Sequence, residues 1–269
     1  MSAPLISAQS AISRFRRDVK LSVLLKAALL VCAVASFMGP AIGLKIDASL
    51  VLLVIGGVWV FLSMRSVHGS RLAAGSPLLI AAGRWDAAEE QIDGALRAFS
   101  LSKKVKVLSL HHLAVLRHAQ RRWQESAMLC RALLNQRSGS ARGLVRATRL
   151  ILADSLLELN DLSGAHESLS RLHGDPMSLV ESLQLMLVQL DYESRIGAWS
   201  HMMGGVAGKV QMAELMSGEA AARAQAFLAL AAQKLGQTDW AVWLRRRVEL
   251  LTDVKGLCVN RPLLTELWP

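Results

Sequence analysis

Twelve Lys and Arg residues fall between Arg97 and Arg149 (Arg97, Lys103, Lys104, Lys106, Arg117, Arg121, Arg122, Arg131, Arg137, Arg142, Arg146 and Arg149), against one acid, Glu125. A run of that sign docks on anions. The choices are anionic headgroups of a membrane surface, at about 1 kcal/mol per cation close to it, an acidic protein segment, or nucleic-acid phosphates. Nucleic acid ranks last, because no stacking aromatics are interleaved and no recognition motif is present. Arg117, Arg121, Arg122, Arg142, Arg146 and Arg149 form the candidate binding patch. His111, His112 and His118 share the stretch and are expected to add positive charge in mild acid. A competing reading leaves these cations on the solvated helix faces of a basic protein.

Other chemistry is excluded motif by motif. There is no H-E-x-x-H, G-x-S-x-G or calcium-loop pattern. The segment Gly204-Gly205-Val206-Ala207-Gly208-Lys209-Val210 is a near miss for a phosphate-binding loop. Met203 stands where the first Gly belongs and Val210 where the magnesium-binding hydroxyl belongs. His111 and His118, like His166 and His173, are seven residues apart, which on a helix is about 10.5 Å along the axis and too far for one metal. Cys32, Cys130 and Cys258 are scattered, with neither a disulfide framework nor a zinc knuckle. No catalytic residue, cofactor or metal site is expected, and the chain reads as a non-enzyme.

The elements that position the basic run must be helices. Hydrophobic residues make up 52% of 269, charged residues 19% and aromatics 5%. That balance fits an all-α chain rich in Leu and Ala better than a β-sandwich. The net charge of +10 puts anionic lipid and nucleic acid on the list of partners to weigh. Residues 27–44 and 48–64 are uncharged runs of eighteen and seventeen positions, separated by Lys45-Ile46-Asp47. Each is about 25–27 Å long as a helix, close to a bilayer's hydrocarbon thickness, so a transmembrane hairpin is predicted. Lys26 starts the first run, where it can snorkel, and Pro40 lies near its end. Gly39-x-x-x-Gly43 and Gly56-Gly57 offer close helix approach. Arg14, Arg16, Arg17 and Lys20 before the hairpin, and Arg65 and Arg71 after it, place both termini and the C-terminal region on the cytoplasmic side. Ala33-Val34-Ala35 resembles a signal-peptide cleavage site, yet cleavage there leaves the second span with the same orientation. The basic segment 1–20 carries Ile12, Phe15 and Val19, read either as an in-plane helix on headgroups or as a plain tail.

From residue 66 to 269 a pattern recurs. Trp85, Trp123, Leu162, Trp199 and Trp240 each follow a short polar turn, at spacings of 38, 39, 37 and 41 residues. Apolar residues at three- and four-residue spacing precede and follow each anchor, which predicts about five helix-turn-helix hairpins. Stacking neighbours would bury the faces that a lone pair cannot. The anchor tryptophans are expected to be core residues. Arg245, Arg246 and Arg247 diverge around a helix and so face no single partner.

Gly83-Arg84-Trp85-x-x-Ala88 and Leu230-Ala231 with Leu235-Gly236 resemble the two halves of the tetratricopeptide repeat, over roughly residues 70–255. Departures are a period longer than the family's 34 or so, the missing terminal Pro, and Gly204, Gly205 and Gly208 in the fourth unit. The resemblance implies an α-solenoid whose groove binds a protein, hence a membrane-anchored scaffold of the kind that assists assembly of membrane or envelope complexes. The alternatives are an enzyme or enzyme subunit with no recognisable linear motif, or an anionic-lipid-binding surface module.

Overall fold

A computed structural model of the chain describes residues 6–38, 48–98, 100, 103–136 and 142–268. Every regular element among them is helical, as the composition predicts. The chain divides into two compact units, Met1–Ser138 and Gly139–Pro269. The first holds α1 (Ala8–Met38), α2 (Ala48–Ala81), α3 (Trp85–Arg97), α4 (Lys103–Ala119) and α5 (Trp123–Leu134). The second holds α6 (Arg142–Glu158), α7 (Leu162–Ser170), α8 (Leu179–Arg195), α9 (Trp199–Met203), α10 (Val206–Glu214), α11 (Gly218–Lys234), α12 (Thr238–Leu251), α13 (Val254–Asn260) and a 3₁₀ turn (Pro262–Leu267).

The five expected hairpin turns share one backbone geometry. Gly83, Arg121, Asn160, Gly197 and Gly236 have φ of 70°, 59°, 59°, 72° and 71°, the left-handed conformation that ends a helix. At the first, the Gly83 N–H donates to the Ile80 carbonyl (3.0 Å) and the Arg84 N–H to the Leu79 carbonyl (2.9 Å). The same two bonds recur at the other four, from Arg121 and Arg122, Asn160 and Asp161, Gly197 and Ala198, and Gly236 and Gln237. This is the paired cap that satisfies the orphan carbonyls of a helix end. The left-handed residues lie 38, 39, 37 and 39 apart. Trp240 is therefore two residues late as the fifth anchor; α12 starts at Thr238.

Five residues beyond each left-handed position, Ala88, Ser126, Ala165 and Met202 are fully buried, and Ala241 is half-buried. Three of these five are Ala and one is Ser, so the partner helix can approach closely. The tryptophans themselves lie shallower than expected: Trp85 is 39% exposed, and Trp123, Trp199 and Trp240 are half-buried. Trp123 packs edge-on against His118 in the last turn of α4, at 4.9 Å between ring centres. Trp199 and Trp240 pack at the edge of the second unit's apolar core. The fourth hairpin is irregular at its glycines, as expected: α9 stops at Met203, Gly205 turns left-handed at φ 65°, and α10 resumes the helix.

In the first unit, α1 and α2 are 31 and 34 residues long. The first half of α1 is part of the helical core. Ala8, Ala11, Phe15 and Ser22 are buried, at the spacing of one helix face. Phe15 packs inward rather than against headgroups. Asp18 accepts the Lys106 ammonium at 2.7 Å, and Arg14 meets Asp93 at 3.2 Å. The last half of α2 pairs with α3 to make the first hairpin. It carries Pro77, which frees the Ala73 carbonyl, and the Ser76 hydroxyl donates to that carbonyl at 2.9 Å. The helix passes without a break through position 65, where the sequence places the end of the second apolar run.

The remaining halves differ. Leu24, Leu30, Val31 and Val34 on α1, and Leu53, Val60, Phe61 and Met64 on α2, are exposed. Gly56 and Gly57 face open space: a Cβ built on either meets no heavy atom within 4 Å, so the expected close approach of helices is not made there. Residues 39–47, with Pro40, Gly39, Gly43 and the connecting Lys45 to Asp47, lie outside the described residues. Among the described residues, no helix is long and apolar enough to cross a membrane.

In the second unit α11 is the central element, buried almost continuously from Ala221 to Ala232. Its alanines let α8, α9, α10 and α12 approach from several sides, around Phe227, Leu230, Leu244 and Val248. Leu257, Leu264 and Leu267 of the C-terminal segment close the same core. Asp161 and Asp253 cap α7 and α13, and Ser178 and Glu181 form a reciprocal capping box on α8.

Candidate protein-interaction surface

The buried face of α1 fixes what its opposite face presents. With Ala8, Ala11, Phe15 and Asp18 turned inward, Gln9, Ser13, Arg16, Arg17 and Lys20 line an open groove of about 640 Å³, floored by Ile12 and by Met128 of α5. Arg16, Arg17 and Lys20 are exposed. Arg17 touches Asp18 only at 3.8 Å, because that carboxylate is committed to Lys106. Three cations along about 6 Å of helix axis lie within about one Debye length of one another, so their fields add. A narrow apolar floor under a cationic rim suits an acidic segment with one or two apolar side chains. The signal was legible as the i, i+3, i+4 register of these residues opposite the buried set. In the sequence these cations stood out for orientation instead.

The six arginines of the candidate patch are placed very differently from one another. Arg117 is 0% exposed. Its guanidinium donates twice to Glu89, at 2.6 and 3.2 Å, once to the Ile6 carbonyl at 2.7 Å and once to Gln120 at 2.6 Å. It is a core ion pair that pins the start of α1. Arg122 pairs with Glu125. Arg121 sits exposed in the second hairpin turn, and its left-handed backbone is its distinguishing feature. In the second unit Arg142 is exposed, Arg149 donates to the Arg171 carbonyl at 3.0 Å, and Arg146 makes a two-pronged pair with Glu181 at 3.0 and 3.1 Å. The Arg146 guanidinium holds the Glu181 carboxyl down at about 2, helped by the Ser178 N–H. Half the set thus belongs to each unit, and Arg117, Arg122 and Arg146 are already paired. Lys106, counted in the basic run, is buried on Asp18 and the Leu96 carbonyl.

Two of the three histidines, His111 and His112, extend the charge less than expected. His111 is buried, and desolvation, with His112 beside it, pushes its pKa down to about 4. Burial also lowers His112, which shares a 2.8 Å hydrogen bond with Ser76. His111 therefore stays neutral in mild acid, and His112 takes a proton less readily than an ordinary histidine.

One carboxylate group among the described residues is tight enough to suggest a cation: Asp154, Glu158 and Asp191. Arginines already occupy it. Arg261 reaches Asp191 at 3.0 Å and also Glu158, while Arg195 meets Asp191 at 2.8 Å. The cluster ties α6, α8 and the C-terminal segment together. Glu193, also buried, pairs with His201 at 2.6 Å. Of the three adjacent arginines, Arg247 contacts Glu214 at 2.6 Å and stacks on Trp243 at 4.8 Å, and Arg245 reaches the Leu267 carbonyl at 3.4 Å. They diverge as expected.

Comparison with known protein families, curated proteins and solved structures finds no match for this chain.

Proposed function

We propose that the protein is a membrane-anchored scaffold of tetratricopeptide-like helical hairpins, forming an α-solenoid, that captures an acidic segment of another protein on the cytoplasmic face of a membrane. The observation that carries this reading is the division of α1 and α2. Each runs without a break from a half packed among the hairpins to a half whose apolar side chains are exposed. Exposed apolar side chains repeated along two neighbouring helices exceed what a soluble surface tolerates and match immersion in lipid. In the sequence the uncharged runs are residues 27–44 and 48–64, and the first of them continues past the described end of α1 at Met38. Continuous helices would hold the hairpins rigidly at the membrane, raising the effective concentration of anything anchored nearby. The groove of Arg16, Arg17 and Lys20 would then lie on the cytoplasmic side. The reading is non-enzymatic: the buried Glu89, Lys106, Arg117, Asp191 and Glu193 are all engaged with structural partners.

The test is binding of a Glu-rich peptide of about twelve residues to the full chain in lipid nanodiscs, followed by fluorescence anisotropy. The expected result is binding that weakens steeply with salt and falls at least tenfold in the Arg16→Gln, Arg17→Gln, Lys20→Gln triple variant. Equal binding by variant and native chain would remove the groove from the proposal.

A further inference from the structure

The boundary between packed and exposed halves is itself a cleft. Lys26 of α1 and Trp59, Ser63, Ser66, Val67 and Ser70 of α2 line an open space of about 530 Å³. Its walls change character along the helix axes. Lys26 is the last charge on α1 before the uncharged run of residues 27–44, and Ser63 and Met64 are the end of the run on α2. The polar limits of both helices thus fall at one level, with Trp59 one turn to the apolar side. An ammonium, hydroxyls and an indole at one depth are the side chains that hold the membrane–water interface.

We propose that this cleft binds one anionic glycerophospholipid, with its phosphate on Lys26 and Ser63 and an acyl chain along Trp59 and Val67. The inference rests on the membrane reading above. The Lys26 ammonium is exposed and offers three donors. Ser63 makes no hydrogen bond within the described residues, so its hydroxyl is available to a phosphate oxygen. The two remaining serines are differently committed. Ser70 donates to the Val67 carbonyl at 2.8 Å and so offers only lone pairs, and Ser66 shares a 2.7 Å bond with Ser100. Acceptors next to a phosphate site suit the hydroxyls of a glycerol headgroup. Among the described residues no carboxylate lines the cleft, so none there neutralises Lys26 in advance. Arg71 lies on the neighbouring flank of α2, in a second cleft that shares Trp59, Ser63 and Val67 but not Lys26. It provides the comparison that separates a site from a general attraction of cations to an anionic surface.

The experiment uses the full chain, delipidated in mild detergent and titrated with phosphatidylglycerol or phosphatidylcholine, read by native mass spectrometry. The proposal expects one phosphatidylglycerol per chain, retained at least tenfold better than phosphatidylcholine. Lys26→Gln should lower that retention about tenfold and Ser63→Ala about threefold, while Arg71→Gln changes it less than twofold. Equal retention of the two lipids, or equal losses from Lys26→Gln and Arg71→Gln, would overturn the site. Carbonate extraction of the same chain from membranes separates the failures. A chain that stays in the pellet without lipid preference loses only the site, whereas a chain released to the supernatant loses both the membrane reading and this inference.

Discussion

Removing Arg117 should loosen the start of α1 and its neighbours far more than removing any other arginine of the basic run. The Arg117 side chain is 0% exposed and the Glu89 side chain 5%. An Arg117→Met substitution takes the guanidinium from the buried Glu89 carboxylate, which the Ile6 N–H also contacts at 3.2 Å. Breaking a buried pair from one side costs about 3–5 kcal/mol. It also strands the Ile6 carbonyl, which Arg117 holds at 2.7 Å. Native-state hydrogen exchange of the full chain in detergent, resolved by peptide, reads this directly. At about 1.4 kcal/mol per factor of ten, amides in α3, α4 and the first half of α1 should exchange from roughly a hundred to several thousand times faster. Adding Glu89→Leu removes that buried charge. The double variant should recover most of the loss, keeping a deficit of about 1–2 kcal/mol from the Ile6 amide and carbonyl. Exchange within threefold of the native chain in Arg117→Met, or a double variant no better than the single, would refute the assignment of Arg117 to the core.

Three further outcomes follow from particular residues. Arg121→Gly should stabilise the first unit by about 0.5–1 kcal/mol, because Arg121 is held at φ 59° where a side chain is strained, and Gly236→Ala at φ 71° should cost the second about 1 kcal/mol; thermal denaturation of each variant checks both. His111 has a native pKa of about 4 against an ordinary 6.5. Below pH 6.5 the unfolded chain therefore binds a proton that the folded chain refuses, so stability is full above 6.5 and falls as pH drops towards 4. Relative to His111→Gln, the native chain should lose about 3 kcal/mol more across that window in urea titrations, and parallel pH curves would contradict the burial argument.

The hairpins were legible because their turns repeat a local rule. A left-handed residue, a two-residue lead into the next helix and a small buried residue leave marks in the sequence at constant spacing. The fifth anchor was misplaced by two residues because Trp240 is conspicuous and Gly236 is not, although Gly236 is the residue the geometry requires. What was not legible depends on partners far apart in the chain. Lys106 meets Asp18 across 88 positions and Arg117 reaches Ile6 across 111, so a linear count of cations treated both as surface charge. The docking of α1 on the hairpins has the same origin. Ile12, Phe15 and Val19 read as a membrane-surface stripe or a plain tail until α3, α4 and α5 are present to bury Phe15. The exposed cations of the groove are the remainder left once those distant pairs are made.

The central claim is that the exposed halves of α1 and α2 lie in lipid, and the cysteines test it with no substitution. Cys32 is exposed on α1, Cys130 is buried with its thiol pushed up to about 12 by desolvation, and Cys258 is half-buried. Intact membranes carrying the full chain are treated with a membrane-impermeant maleimide at pH 7.5, before and after solubilisation in denaturing detergent, and each cysteine is assigned by peptide mass spectrometry. The account predicts that Cys32 stays unlabelled in membranes and labels fully after solubilisation, with Cys130 also protected until the chain unfolds. Rapid labelling of Cys32 in intact membranes, while Cys130 remains protected, would put that helix face in water and contradict the anchor.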